Sequence, residues 1–240
     1  MQKVIIIGGT SGIGYELAKI YLSLGAQVAV CGRRIELLNT LTGKYPETCL
    51  TYKMDVSATE QARNILDGIF DDLDNVDLVI ISSGTGFINK EMAWDKDKTT
   101  LEVNVLGFAA ISNLVFNKFL KQGYGQIAGI SSIAALRGSP DISYNASKAF
   151  VHNCLEGLSV MAYKNGNKIH ITEIMPGLVD TAMAQGEGLF WVAPVEKAAK
   201  QIHKAIAKKK KFVYITHRWR LIAWLLKILP GFIYKKLAAG

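Results

Sequence analysis

The first 14 residues constrain the fold of this chain more than any other segment. Residues 4–7 are consecutive apolar residues, Val-Ile-Ile-Ile, as expected for a strand buried on both faces of a parallel sheet. Residues 8–14, Gly-Gly-Thr-Ser-Gly-Ile-Gly, follow at once, and the apolar residues after them recur at helical spacing. Glycines let a backbone turn tightly, and the free N–H groups at a helix N-terminus attract phosphate. We therefore prefer a nucleotide-phosphate site to an ordinary strand-to-helix turn, with candidate residues Gly8, Thr10, Ser11, Gly12, Ile13 and Gly14.

Strand and helix patterns alternate along the rest of the chain. Further apolar runs occupy residues 27–31, 48–53, 76–81, 126–130, 169–174 and 212–216. This alternation predicts a single-domain α/β fold, a doubly wound, Rossmann-like parallel sheet with helices on both faces and ligands at the carboxyl ends of the strands. We place this domain at residues 1–216, with a flexible lid at about residues 182–192, where periodicity is weak. Residues 217–240 form a basic, apolar helical extension.

Two arginines, Arg33 and Arg34, follow the second predicted strand. In a dinucleotide-binding fold this strand end meets the adenosine ribose, where an acidic residue would hold the 2′-hydroxyl of NAD. The strand here ends in Gly-Arg-Arg without an acidic residue, and guanidinium groups suit a 2′-phosphate. Arginines also commonly begin surface helices. The pattern favours NADP(H) over NAD(H) as cofactor.

Other candidate residues follow the remaining strands. Asp55, with Val56 beside it, is placed to contact adenine, although a turn or capping role competes with that interpretation. Asn104 lies in an apolar helical stretch, where a polar side chain should find a buried partner, either as a structural kink or as part of a proton path. The ends of the fourth and sixth strands add Ser82, Gly84, Pro176, Gly177, Val179 and Thr181.

Tyr144 and Lys148 are four residues apart in a helical pattern, so they share one helix face. An ammonium favours phenolate over phenol, and we therefore expect Lys148 to lower the pKa of Tyr144. A tyrosine of that kind exchanges a proton with an alcohol or a developing alkoxide. Ser131 or Ser132, at the preceding strand end, offers a hydroxyl to the same oxygen.

Taken together, these motifs resemble the classical short-chain dehydrogenase/reductase family over nearly the full chain. Of the family's Thr-Gly-x-x-x-Gly-x-Gly, the three glycines are present and Ile7 replaces the threonine. Its Asn-Asn-Ala-Gly reads Ile-Ser-Ser-Gly at residues 81–84, so only the glycine is kept. Asn104 matches the family's helix asparagine. The family's active-site Ser, Tyr and Lys correspond to the Ser131/Ser132 pair, Tyr144 and Lys148. Its Pro-Gly-x-Val-x-Thr corresponds to Pro176, Gly177, Val179 and Thr181.

The resemblance implies an oxidoreductase that interconverts a carbonyl and an alcohol by hydride transfer. With the NADP(H) preference indicated by the arginines, we expect a reductase that acts on a hydrophobic substrate. Tyr144 would be the general acid or base, and Lys148 would hold the nicotinamide ribose. Asn104 would help to place a water behind Lys148. The local pattern Ser-Ser-Ile-Ala-Ala favours Ser132 for binding the substrate oxygen, whereas the usual family spacing to the tyrosine favours Ser131. We prefer Ser132, because turns tolerate deletions.

Two other function classes stay open at this point. A non-catalytic NADP-binding sensor would bind the cofactor without turnover, although the intact Ser, Tyr and Lys set argues against it. An extended-type epimerase or dehydratase also uses Tyr-x-x-x-Lys, but normally carries a larger C-terminal substrate domain than this chain has.

The basic residues are concentrated at the C-terminus. Residues 200–240 hold 11 of the 28 Lys and Arg residues and no Asp or Glu, which leaves a net charge of −3 on the remaining residues. Nucleic-acid binding by the domain is therefore not supported. The apolar run at residues 217–229 is too short to span a bilayer. It suits a helix in a membrane interface, and equally one packed on the substrate pocket or on a sister subunit.

The cysteines Cys31, Cys49 and Cys154 are scattered, so the sequence indicates neither a disulfide framework nor a metal site. The apolar run at the start is too short for a signal peptide. We expect a cytoplasmic protein, with peripheral membrane contact through the C-terminal helix as one alternative. The family resemblance also implies a homodimer or homotetramer and a small-molecule carbonyl or alcohol substrate.

Overall fold

The computed structural model describes residues 1–166, 168–183 and 190–239. Within them, seven parallel strands form one sheet in the order β3-β2-β1-β4-β5-β6-β7. The predicted doubly wound α/β fold is confirmed. The strands are β1 (Lys3–Ile7), β2 (Gln27–Gly32), β3 (Cys49–Lys53), β4 (Leu78–Ile81), β5 (Tyr124–Ile130), β6 (Lys168–Pro176) and β7 (Phe212–Ile215).

Helices cover both faces of the sheet. A π-helical segment, Glu102–Gly107, joins two of them, and short 3-10 helices occupy Ile35–Leu38 and Ile133–Leu136. The α-helices are α1 (Gly12–Ser23), α2 (Asn39–Lys44), α3 (Thr59–Leu73), α4 (Trp94–Leu101), α5 (Phe108–Gln122), α6 (Ile142–Lys164), α7 (Val195–Ala207), α8 (Trp219–Ile228) and α9 (Gly231–Ala239).

The apolar run of β1 divides between two cores because side chains alternate along a strand. Ile5 and Ile7 pack into the core beneath α3, α5 and α6. Val4 and Ile6 pack into the opposite core beneath α1 and α7. Since β1 pairs with β2 on one side and β4 on the other, its backbone is satisfied at the centre of the sheet. This central position requires the uninterrupted apolar run.

The sixth strand extends beyond its predicted end at Ile174 as far as Pro176. The physical reason is the neighbouring β7, because Pro176 pairs with Ile215 and the Gly177 N–H donates to the Ile215 carbonyl at 2.7 Å. Pro176 therefore sits at the last position of the ladder, where a missing N–H is tolerated.

The continuous helix Trp94–Gln122, formed by α4, the π-helical segment and α5, is long and apolar enough to cross a membrane. Half of its most apolar window is buried inside the protein. Its Ile111, Val115 and Phe119 side chains belong to the core beneath the sheet. This burial is that of a core helix.

Candidate active site

A cavity of about 930 Å³ runs along the carboxyl edge of the sheet, where all parallel strands end. It extends from the glycine turn, residues 8–14 after β1, to the C-terminal helices α8 and α9. Of the predicted site residues, Gly14 and Asn104 lie outside its lining. The lining contains Gly8, Thr10, Ser11, Gly12, Ile13, Arg33, Arg34, Asp55, Val56, Ser82, Gly84, Ser132, Tyr144, Lys148, Pro176, Gly177, Val179 and Thr181.

The glycine turn brings bare backbone to the cavity. Gly8 has a φ of +85°, and a Cβ atom on it would lie 2.5 Å from the Ser83 backbone nitrogen. A Cβ on Gly14 would lie 2.3 Å from the Gly8 carbonyl oxygen, so α1 packs directly on the turn. The Gly8 and Gly9 N–H groups both donate to the Cys31 carbonyl, at 2.9 and 3.0 Å. Gly14 thus acts through packing, which explains its absence from the lining.

Cationic side chains lie beside this turn. Arg33 and Arg34 are exposed at the end of β2, and Arg34 Nη2 donates to Ser11 Oγ at 2.9 Å. Asp55 Oδ1 accepts hydrogen bonds from the Ser57 N–H at 3.0 Å and the Ser57 hydroxyl at 2.7 Å. The turn role considered for Asp55 is therefore observed, while its contact with adenine stays a prediction.

Asn104 lies in the π-helical segment and is almost fully buried. Its Oδ1 accepts from the Thr85 N–H at 2.8 Å, and its Nδ2 donates to the Thr85 carbonyl at 2.7 Å and to Ser147 Oγ at 2.9 Å. The predicted buried partner is confirmed. The Ser147 hydroxyl in turn donates to the Tyr144 carbonyl at 2.8 Å. Asn104 thereby ties the segment after β4 to the helix that carries Tyr144.

The two neighbouring serines have different partners. The buried Ser131 hydroxyl donates to Glu173 Oε1 at 2.6 Å and also contacts the Ile174 carbonyl at 3.2 Å. Ser132 Oγ accepts from the Ala134 N–H at 3.1 Å, and the Ser132 side chain lies near enough to Tyr144 to lower the tyrosine pKa. Ser132 is therefore the serine that lies beside the phenol.

Burial shifts the Tyr144 and Lys148 pKa values in opposite directions. Removal from water raises the pKa of Tyr144, and the Ser132 hydrogen bond offsets only part of this increase. Burial lowers the pKa of Lys148 to about 8, and Lys148 Nζ donates to the Ile130 carbonyl at 3.2 Å. The predicted lowering of the Tyr144 pKa by Lys148 is wrong, because desolvation of the phenolate dominates. The ammonium lies 5.8 Å from the ring centroid and is bonded to a backbone carbonyl.

Comparison with known proteins identifies the family. The family model for short chain dehydrogenase matches residues 2–189. The chain belongs to the short-chain dehydrogenase family. It is an NAD(P)-dependent oxidoreductase.

Relatives agree with this assignment, and solved structures share the fold. The dehydrogenase is 27% identical to an uncharacterized oxidoreductase of Staphylococcus epidermidis, over 77% of this chain and 81% of that protein. It is 28% identical to 11-beta-hydroxysteroid dehydrogenase 1A of Arabidopsis thaliana, over 95% and 72% respectively. A Burkholderia cenocepacia short chain dehydrogenase in complex with NADP has the same fold, with a TM-score of 0.83, 22% identity and 99% of each chain covered. A Burkholderia phymatum short chain dehydrogenase/reductase in complex with NAD has a TM-score of 0.82, 19% identity and coverage of 93% and 92%.

The segment after β4 adds residues to the cavity lining that the sequence analysis missed, among them Thr85 and Gly86. A Cβ on Gly86 would lie 2.7 Å from Tyr144 Cδ2, so this backbone lies against the phenol ring. A Cβ on Gly84 would lie 3.3 Å from Lys148 Nζ. Thr85, between them, is held by Asn104. The available signal was a second glycine two residues beyond Gly84, at a strand end that faces ligand.

The C-terminal helices form a wall of the cavity through Leu226 and Tyr234. Arg137 Nη1 donates to the Leu226 and Leu229 carbonyls, at 2.9 Å each, and its guanidinium lies 4.3 Å from the Tyr234 ring centroid. The Tyr234 hydroxyl donates to the Gly138 carbonyl. Packing on the pocket, one of the alternatives for this segment, is therefore observed for its inner face. Arg137 was missed because nothing in its local sequence indicates a distant backbone partner.

Trp219, at the start of α8, lies over the Pro176-Gly177 turn. A Cβ on Gly177 would lie 2.1 Å from Trp219 Cδ2, so this turn accepts no side chain. Phe190 and Trp191 pack on the same indole, with ring centroids 5.3 and 6.1 Å away.

Most of the predicted lid at residues 182–192 lies outside the described residues, since residues 184–189 are not among them. In the described part of the chain no group of three or more His, Cys, Asp or Glu side chains is arranged to hold a metal ion.

Proposed function

We propose that this dehydrogenase is an NADP(H)-dependent reductase that converts a carbonyl group on a hydrophobic substrate into an alcohol. The observation that carries the proposal is the meeting of Ser132 and Tyr144 hydroxyls with Lys148 in the same cavity as the glycine turn and Arg33. A hydride donor and a proton donor would thus act on one carbonyl from one site. The catalytic domain is proposed to comprise residues 1–216, with residues 217–240 as its extension.

The residues at the β1–β2 end fit a dinucleotide. The close backbone packing at Gly8 and Gly14 leaves no side chain between the turn and a pyrophosphate, and α1 presents its N-terminus there. Arg33 and Arg34 offer guanidinium groups to a 2′-phosphate, and the end of β2 carries no competing carboxylate. When bound, the cofactor supplies the hydride at its nicotinamide ring.

The protonation states support the direction of reduction. Because the Tyr144 pKa is raised, its phenol is protonated at neutral pH and can donate to the substrate oxygen as negative charge develops there. Ser132, which lies beside the same phenol, is placed to offer a second hydrogen bond to that oxygen. With a pKa of about 8, Lys148 exchanges protons readily near neutral pH and can replace the proton that Tyr144 gives up.

The substrate preference rests on the cavity walls away from the glycine turn. Phe87, Ile88, Met183 and Leu226 line this part. The Arg137 guanidinium, also at this wall, is already bonded to two carbonyls of the C-terminal helices. An apolar body with a single carbonyl fits these surroundings better than a charged metabolite does.

The first experiment screens NADPH oxidation against a panel of ketones, aldehydes and acyl-chain carbonyls. On the substrate that is turned over fastest, Tyr144→Phe is expected to abolish reduction while NADPH binding persists, because the proton donor is removed and the ring is kept. Full activity in Tyr144→Phe would overturn the mechanism.

A second experiment isolates the cofactor preference. Arg33→Ala and Arg34→Ala are expected to lower kcat/KM for NADPH and to leave kcat/KM for NADH nearly unchanged, since only NADPH carries the 2′-phosphate. Lys121→Ala, at an exposed cation in the last turn of α5, is the matched control. An NADPH/NADH ratio unchanged in both arginine variants would refute the assignment. Light scattering of the purified protein tests the homodimer or homotetramer that the family resemblance implies.

A further inference from the structure

The outer face of α8 is an apolar stripe directed away from the protein. Leu221, Trp224, Leu225 and Ile228 recur at helical spacing, and all four are exposed, Leu221 at 67% and Trp224 at 64%. The opposite side of the same helix is buried through Trp219 and Ala223. A surface helix of a soluble protein normally presents polar residues on its outer side. The apolar outer face of α8 therefore needs a covering partner.

The next helix also exposes apolar side chains. On α9, Phe232 and Leu237 are exposed at 70% and 68%. We define the tail surface as the four exposed residues of α8 together with Phe232 and Leu237. Exposed basic residues flank it, and the last acidic residue of the chain is Glu196, well before α8 begins. The flanking cations are Arg218, Arg220, Lys227, Lys235 and Lys236.

We propose that the tail surface docks on an anionic lipid bilayer, with α8 lying in the membrane interface. Tryptophan, phenylalanine and leucine side chains bordered by Lys and Arg are the composition of interfacial helices. The ten residues of α8 span about 15 Å, half of a hydrocarbon core, so the association is peripheral. The cations supply attraction to lipid headgroups that the apolar residues alone would lack.

A second copy of the chain fits the tail surface less well. A two-fold symmetric contact would place the same patch on both subunits. Each copy would then bring its five cations against those of the other, and residues 197–240 contain no acidic residue to pair with them. Anionic headgroups meet that charge, whereas an identical partner repels it.

Docking would bring the cavity close to the membrane. The inner side of the same helices lines the cavity through Leu226 and Tyr234, so about one helix diameter, roughly 10 Å, separates the lipid surface from the site. Arg137 bonds the C-terminal carbonyls of α8 to the segment that follows Ser132. The docking itself depends on the outer face alone and does not require the proposed function.

A second basic cluster provides an internal control. The run Lys208–Lys211 joins α7 to the amino end of β7, whereas α8 follows the carboxyl end of that strand. The lysine run therefore lies at the opposite edge of the sheet from the tail surface. The R220E/K227E and K208E/K210E variants change the net charge by the same amount at these two edges.

The test measures co-sedimentation of the full-length protein with vesicles of phosphatidylcholine alone or of equal parts phosphatidylcholine and phosphatidylglycerol. The unmodified protein and K208E/K210E are expected to bind the mixed vesicles, and less so at high salt. R220E/K227E is expected to lose at least about tenfold in partitioning, since each basic residue near an anionic surface contributes about fivefold. W224D/I228D is expected to lose at least about as much, because it places two carboxylates on the apolar face that enters the interface.

Several outcomes overturn the proposal. The proposal fails if the unmodified protein stays in the supernatant with mixed vesicles. It also fails if W224D/I228D partitions onto the vesicles as strongly as the unmodified protein. Equal losses in R220E/K227E and K208E/K210E would assign the binding to net charge alone. If W224D/I228D converts a dimer into a monomer without changing vesicle partitioning, the tail surface is an interface between copies. Circular dichroism of each variant establishes that it is folded, and R220E/K227E carries the test if W224D/I228D is not.

Discussion

Lys148 is a buried ammonium whose pKa is lowered to about 8. Below pH 8 the folded protein keeps this charge away from water, which costs folding free energy. This cost declines as the pH rises from about 8 towards 10.5, the pKa of the lysine in the unfolded chain. Lys148→Met should therefore raise the free energy of unfolding by up to about 3 kcal/mol near pH 7, while activity is lost. The gain should shrink as the pH approaches 10.5. Denaturant unfolding of both proteins across this pH range measures it, and a gain independent of pH would contradict the assignment.

Gly86 controls where the Tyr144 phenol sits. Because a Cβ on Gly86 would lie 2.7 Å from Tyr144 Cδ2, Gly86→Ala must displace the ring or the backbone. Displacement of a catalytic group by about 1 Å lowers turnover roughly a hundredfold. Steady-state kcat/KM with NADPH measures the loss. Gly157→Ala, on the exposed side of α6 with nothing within 4 Å, is the control and should add roughly 0.5–1 kcal/mol of stability without changing kcat/KM. Equal activity in the two variants would refute the role of Gly86.

At the scale of single residues, the sequence predicts which side chains meet and leaves their surroundings undetermined. The four-residue spacing of Tyr144 and Lys148 was sufficient, because helix geometry is regular. The choice between Ser131 and Ser132 required the neighbouring strand, since adjacent residues at a strand end point to opposite sides. Pairing with β6 directs Ser131 to Glu173. The direction of the Tyr144 pKa shift was equally inaccessible, because burial depends on distant segments.

At the scale of elements, the start of α8 packs on the Pro176-Gly177 turn, whose residues line the cavity. The Trp219 ring covers Gly177, while its buried Nε1 has no hydrogen-bond partner in the described structure. Trp219→Phe removes that donor and keeps an aromatic ring, so the free energy of unfolding should change by less than about 1 kcal/mol. Trp219→Ala should lower it by about 3–5 kcal/mol and raise KM for NADPH. Chemical denaturation and kinetics of both variants measure these effects. A loss in Trp219→Phe as large as in Trp219→Ala would show that the indole N–H has a stabilising partner.

The C-terminal helices show why amphipathic patterns are ambiguous at this scale. Residues 217–229 are apolar around most of the helix circumference, so the pattern alone fits both a membrane interface and a pocket wall. The fold assigns Trp219 and Ala223 to the inner side and leaves Leu221 and Trp224 outside. On the inner side, Arg137 contacts Tyr234, although the two residues are 97 positions apart in sequence. No local pattern predicts that contact.

At the scale of the whole molecule, the doubly wound fold could be predicted because each strand carries its own apolar run and each helix its own period. Their parallel arrangement brings the strand ends to one edge, which is why most predicted site residues share one cavity. The far wall of that cavity comes from α8 and α9, whose inner positions depend on long-range packing. The residues that line the cavity near the glycine turn were therefore predictable, whereas those contributed by α8 and α9 were not.

The raised pKa of Tyr144 also sets how the whole enzyme should respond to pH. In the proposed mechanism, reduction uses the protonated Tyr144 phenol, which the raised pKa maintains, so kcat/KM for reduction should be nearly constant through neutral pH. Alcohol oxidation needs the phenolate, whose fraction rises about tenfold per pH unit below the Tyr144 pKa, so its kcat/KM should increase into the alkaline range. Measuring kcat/KM in both directions with the same carbonyl–alcohol pair tests this. In Tyr144→Phe, any residual oxidation should show no increase of kcat/KM with pH. An oxidation rate that levels off near neutral pH would mean that the Tyr144 pKa in the working complex is lowered, and the preference for reduction would then have to come from the cofactor ratio alone.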